Sequence, residues 1–292
     1  MTTELAIRTG GLTKRFGDLF AVDHLDLEVP RGSVFGLIGP NGAGKTTTFA
    51  ILASLVSPTH GTVEVGGLDP GSDPLGVRRL VGYMPDVMGV YDGLRVGEYL
   101  EFFAAAYRVP HDRWHALVDG LLELVDLSGK RDAMVDSLSR GMKQRLSLAR
   151  ALVHDPDILI LDEPASGLDP RARIDLRGLL GELAGMGKTV VISSHILAEL
   201  EEMCSHVAIL EAGRLLAQGP PGEIGAALAG RRTVIVRLAG GEVRRHEVAD
   251  EAEQAALVRR LVVDEGLEVV EVSGADGGLE DLFLRVTKGV VQ

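Results

Sequence analysis

Short β-branched or aliphatic runs alternate with helically spaced apolar positions through most of the chain. Runs at 34–38, 62–65, 80–84, 158–161, 190–193 and 207–210 read as strands. Apolar spacing predicts helices over 45–55, 96–107, 112–125, 141–153, 171–184 and 198–203. Strand and helix in alternation imply a mainly parallel α/β sheet. Ahead of Arg31, residues 5–8 and 25–29, separated by the turn-like Phe16-Gly17-Asp18, predict two added antiparallel strands. Gly219-Pro220-Pro221-Gly222 then punctuates the chain. Beyond Gly230 the pattern becomes strand (233–238), turn (239–241), strand (242–248), helix (251–265), strand (267–272) and helix (279–286), a small α+β appendage.

Composition narrows the function classes. Hydrophobic residues make up 46% and aromatics only 4% of 292 residues, which fits an aliphatic-cored globular protein. The net charge of −12 repels polyphosphate backbones, so no nucleic-acid partner is expected. One cysteine, Cys204, allows no internal disulfide and predicts a reducing compartment. The start MTTELAIRTG has no basic stretch followed by an apolar run, and no apolar run approaches the ~20 residues of a spanning helix. The expectation is a cytoplasmic chain without a signal peptide or membrane span.

Candidate chemistry concentrates in two segments. The strand at 34–38 runs into Gly39-Pro40-Asn41-Gly42-Ala43-Gly44-Lys45-Thr46-Thr47, which fits G-x-x-x-x-G-K-[ST] between a strand and a helix. Such glycines let successive backbone N–H groups and a helix N-terminus surround a phosphate. Lys45 would reach the β/γ oxygens and the Thr46 hydroxyl would bind Mg²⁺. The apolar run 158–161 delivers Asp162 and Glu163 at its C-terminal end, where open α/β sheets bind ligands. Asp162 suits a Mg²⁺ shell. Glu163 can polarise a water for in-line attack on a γ-phosphate.

With these motifs the chain resembles the ATP-binding cassette family, the nucleotide-binding domains of ABC transporters. Between them lies Leu138-Ser139-Arg140-Gly141-Met142-Lys143-Gln144-Arg145, similar to the family signature LSGGQ, with Arg140 and Met142 as departures. The resemblance implies that Ser139 and Gly141 close over the γ-phosphate held by a second copy, forming a head-to-tail ATP sandwich. It also implies an inter-subunit loop at Ser166-Gly167-Leu168-Asp169, a switch histidine at His195 and adenine stacking by Phe16. Where the family carries a glutamine that touches Mg²⁺ or the attacking water, this sequence has Asp86, whose oxygens could also bind Mg²⁺.

The implied fold is a P-loop NTPase cassette over 4–225, with a helical subdomain at about 87–153, followed by a C-terminal α+β domain over 230–292. The implied function is ATP hydrolysis with Mg²⁺ that powers export through a separate transmembrane permease, holding the chain peripherally at the inner face of the cell membrane. The stretch Met88-Gly89-Val90-Tyr91 to Glu98–Phe103 is the expected dock for that permease. A soluble ABC-type ATPase uncoupled from transport, or a nucleotide-gated regulatory module, is the alternative.

Overall fold

The computed structural model describes residues 4–87, 89, 93–228, 232–248 and 250–274. These divide into two units at Gly219/Pro220. The first opens with β1 (Leu5–Phe16), which turns at Gly17-Asp18 into the antiparallel β2 (Leu19–Leu25), and β3 (Glu28–Pro30) returns along β1. Then follow β4 (Val34–Ile38), α1 (Lys45–Leu52), β5 (His60–Val65), α2 (Pro74–Leu80), β6 (Val81–Met84), α3 (Val96–Ala106), α4 (Trp114–Leu124) and α5 (Arg140–Leu152). The unit closes with β7 (Ile158–Leu161), α6 (Pro170–Gly185), β8 (Thr189–Ser194), α7 (Leu197–Met203), β9 (His206–Glu211) and β10 (Arg214–Gly219).

The larger sheet has the order β10-β9-β4-β8-β7-β6, with only β10 antiparallel to its neighbour. β4, β7 and β8 are buried at every residue, as expected of parallel strands covered on both faces. The smaller sheet sets β2, β3 and β5 around β1. Between the sheets, Phe35, Leu37, Phe49 and Ile51 pack against Ile7, Leu12, Val22 and Leu25. Each fully buried side chain of this kind contributes about 1.5–3 kcal/mol over leaving it in water. Thus α1, which carries the phosphate loop at its start, is anchored by its own apolar face.

The structure corrects the sequence reading in several places. β1 continues through Thr9-Gly10-Gly11, past the strand end expected at Arg8, because a register irregularity between Gly10 and Thr13 absorbs the glycines and Gly11 takes a positive φ of 56°. The N-terminal segment therefore forms three strands rather than two. α2 is too short to show a helical repeat, yet Asp73 caps it by accepting from Gly76 N at 2.9 Å and Pro74 starts it. Leu80 belongs to this helix, so β6 starts one residue late. β10 escaped notice because its return from β9 uses Ala212 and Gly213, both at positive φ (48° and 80°), the pairing of a type I′ hairpin.

In the second unit, α8 (Pro221–Leu228) precedes β11 (Arg232–Leu238), β12 (Val243–Val248), α9 (Glu251–Arg259), a π-turn at Arg260–Asp264, and β13 (Val269–Gly274). Its antiparallel sheet runs β12-β11-β13 and buries Val234, Val236, Leu238 and Val248 against Leu257 and Leu261. The helix read at 251–265 thus ends in a π-turn. The strand read at 267–272 begins at Val269, with Leu267 packed on the core from the preceding loop. The helix read at 279–286 lies outside the described residues.

Candidate active site

β4 ends in the core, and the chain must then curl sharply to start α1. Gly42 and Gly44 supply that curl with φ of 83° and 97°. A Cβ on Gly39 would lie 2.6 Å from the Leu210 carbonyl oxygen, and one on Gly44 would be driven into the carbonyl of Ala21 on β2. The loop is therefore gripped from both sides, and Ala43 ties it further, its N–H donating to Pro40 O at 3.1 Å and its carbonyl accepting from Gly213 N–H at 3.1 Å. Inside it, Lys45 Nζ donates to Gly39 O at 2.7 Å and lies 3.5 Å from Glu163 Oε1. The buried Lys45 ammonium thus stands at the mouth of the loop, where an incoming phosphate oxygen can replace part of this coordination.

Asp162 and Glu163 leave the end of β7, two strands from β4. Asp162 is 1% exposed. Its Oδ1 accepts from Ser193 Oγ at 2.6 Å, while its buried Oδ2 has no hydrogen-bond partner among the described residues. Glu163 takes a positive φ of 50° and is held at each of its polar groups. Its N–H donates to Ser193 Oγ at 2.8 Å, its carbonyl accepts from Gln144 Nε2 at 3.0 Å, and its carboxylate meets Lys45 and, at 2.9 Å, His195 Nδ1. A non-glycine residue in this region is costly unless its surroundings over-determine it. The adjacent carboxylates thus have different partners, Ser193 for Asp162 and Lys45 with His195 for Glu163.

The structure thus brings together Lys45, Asp162, Glu163 and His195, four of the residues singled out in the sequence. Thr46, the second residue of α1, is exposed, and Thr47 follows it, partly buried. Ser139 and Gly141 are occupied locally. Ser139 caps α5, accepting from Met142 N at 3.3 Å, and Gly141 faces Leu168. Asp169 caps α6 through Ala172 N at 2.9 Å. Phe16 ends β1 at 50% exposure beneath Lys14 Nζ, on the hairpin whose second strand passes Gly44. Asp86 is exposed, two residues past β6. Burial first, then the Asp162 carboxylate, push the Tyr83 phenol up to about 12, and Asp86 adds to this.

Two contributors were missed in the sequence. Ser193 was read only as a neighbour of His195, yet its hydroxyl links both carboxylate residues. Gln144 was read only as part of the signature helix. The available signal was a polar residue at each position where the surrounding pattern calls for burial. Among the described residues no three His, Cys, Asp or Glu side chains cluster as a metal site. The donors present, one buried carboxylate oxygen without a partner and the hydroxyl of Thr46, fit a Mg²⁺ ion whose other ligands are phosphate oxygens and water.

A glycine loop between a buried parallel strand and a helix, facing an acidic strand end across the sheet, defines a P-loop nucleotide hydrolase. Residues 22–166 match the family described as ABC transporter. A Nod factor export ATP-binding protein I of Ralstonia nicotianae is 35% identical, over 95% of this chain and 92% of that protein. A daunorubicin resistance ATP-binding protein of Streptomyces coeruleorubidus is 34% identical over 97% and 96%. The solved structure of an ATP-binding subunit of an ABC transporter superposes with a TM-score of 0.74 at 26% identity, covering 98% of this chain and all of that one. A dimeric bacterial ABC transporter cassette superposes at 0.68 and 25% identity over 73% and 98%. The chain belongs to the ABC transporter family, as an exporter-type subunit that binds and hydrolyses ATP.

Proposed function

We propose that the chain works as a head-to-tail pair with a second copy and drives export through a separate membrane-spanning subunit that holds it at the inner face of the cell membrane. Among the described residues no helix is long and apolar enough to cross a membrane, so the proposed path lies in that partner. Support for the pair comes from the dimeric cassette among its structural neighbours. The stretch from Glu98 to Phe103 on α3 is the proposed dock, together with residues 88–91, of which 88, 90 and 91 lie outside the described residues. Relatives named for two different molecules support assigning cargo choice to the membrane subunit.

Within each copy, the loop Gly39-Pro40-Asn41-Gly42-Ala43-Gly44 and Lys45 would cradle the phosphates, with Thr46 and Thr47 at the helix start and Phe16 against the adenine. Thr46, Asp162 and, across the strand edge, Asp86 would hold Mg²⁺, which when bound neutralises charge on the β- and γ-phosphate oxygens. Glu163 would accept a proton from the attacking water, with His195 fixing its second oxygen. Ser139 and Gly141 would reach the γ-phosphate held by the opposite copy. The observation that carries this reading is the Glu163 carboxylate pinned between Lys45 and His195, next in sequence to a buried Asp162 oxygen without a partner among the described residues.

Glu163→Gln tests it. Mg-ATP affinity should persist while turnover falls roughly 10²–10⁴-fold, as for loss of a general base. Sizing chromatography should then show an ATP-dependent dimer. Unchanged turnover with only monomer in ATP would refute both the base and the sandwich.

A further inference from the structure

We infer that Gln144 is a positioning residue for Glu163: from the signature helix it holds the Glu163 carbonyl, and through it the orientation of the proposed base. This rests on the reading of Glu163 given above. Glu163 sits at a φ of 50°, so its peptide must be fixed by its neighbours if the carboxylate is to point one way. Ser193 fixes the N–H side. On the carbonyl side, Ser166 N–H donates at 3.0 Å and Gln144 Nε2 donates at 3.0 Å. Ser166 is only three residues away and moves with the same loop. On this carbonyl side, among the described residues, Gln144 alone brings a restraint from a different element.

That element is itself clamped. The next residue, Arg145, reaches Asp126 Oδ2 at 2.7 Å just beyond α4 and Asp175 Oδ2 at 3.6 Å on α6, so α5 cannot rotate without breaking both pairs. Gln144 is only 9% exposed and borders a cavity of about 70 Å³ lined by Met84, Leu148, Pro164, Leu168 and Leu176. Those surroundings would suit methionine as well as glutamine. The amide answers the Glu163 carbonyl instead. Ser139, at the N-terminus of the same helix, is the residue proposed to meet the nucleotide of the second copy. One rigid helix therefore joins contact with one ATP to placement of the base acting on the other.

Gln144→Met removes the donor and keeps the volume. Its kcat should fall about tenfold or more, the order expected when a reacting group is misplaced by part of an ångström, while the KM for ATP and the melting temperature stay put. In the Glu163→Gln background it should add no further slowing. Unchanged kcat, a matching rise in KM, or full additivity would overturn the inference. Mixed pairs sharpen the test, with Lys45→Ala in one copy so that only one site turns over. Gln144→Met should slow the pair when placed in the copy that retains Lys45, and leave it unchanged when placed in the Lys45→Ala copy. Equal slowing from either position would show a general structural role and overturn the inference. A mixed pair inactive before any Gln144 change would show that turnover needs both nucleotides, and the kcat and KM of the unmixed Gln144→Met variant would then decide the role of Gln144.

Discussion

Replacing Asp162 by asparagine should make the protein more stable and abolish its Mg²⁺-dependent chemistry. The carboxylate is 1% exposed, and one of its two oxygens has no hydrogen-bond partner among the described residues. A buried unsatisfied neutral group costs about 1–3 kcal/mol and a charged one more, so exchanging one for the other returns about 1 kcal/mol. The introduced amide would keep an oxygen for the Ser193 hydroxyl, so the bond at 2.6 Å need not be lost. In a unit of this size, 219 residues to its boundary, 1 kcal/mol raises the melting temperature by roughly 2–4 °C. Calorimetry without nucleotide should show that rise. With Mg-ATP the order should reverse, because the wild type gains ligand stabilisation that the variant loses. A variant that melts lower without nucleotide, or keeps its Mg-ATP shift, would refute the assignment of the open oxygen to the ion.

Two further outcomes are expected. Gly44→Ala, at a φ of 97° with its Cβ driven into the Ala21 carbonyl, should lose at least about 1–2 kcal/mol from backbone strain and weaken ATP binding by titration calorimetry, whereas Gly185→Ala, at an open helix position, should do neither. His154 stacks on Tyr107 at 3.8 Å and bonds the Val81 carbonyl at 3.2 Å, while its buried Nδ1 has no partner among the described residues. Burial holds its pKa below the usual value, with Lys188 acting the same way and the Val81 bond and Asp155 opposing. The unfolded chain therefore takes up a proton first. Stability should fall as pH drops below about 6.5, by up to about 1.4 kcal/mol per unit, until the folded histidine also protonates. His154→Phe should flatten that part of a denaturant-midpoint series, and an unchanged slope would refute the linkage.

The architecture was readable wherever local pattern and tertiary role coincide. The fully buried strands β4, β7 and β8 and the helices α5 and α6 stand within a residue or two of their predicted positions, because continuous apolar runs and helically spaced apolar positions carry the signal. Reading failed where geometry replaces pattern. β1 crosses two glycines by bulging, α2 has too few turns for a period, and β10 depends on a two-residue turn at positive φ. The loop lysine and the acidic pair were legible as a spacing. The links of Ser193 and Gln144 to Glu163 were not, since each spans 19 or more residues and joins a side chain to a backbone group.

The strand order has one more consequence, which concerns length. Neighbouring strands lie about 4.8 Å apart, so β7 stands about 10 Å and β6 about 14 Å from the strand that feeds the phosphate loop. The sheet is in effect a ruler laid under the triphosphate. Across the 10 Å step only long side chains can meet, and Lys45 and Glu163 do. In the proposed site Asp162, shorter and buried, would stop partway and leave room for the ion between itself and a phosphate. Asp86, a further strand out, would take part in the proposed site only through an ion held in that room. A residue one carbon longer at 162, or one shorter at 163, would therefore be misfitted by the spacing of the sheet itself, with its charge unchanged.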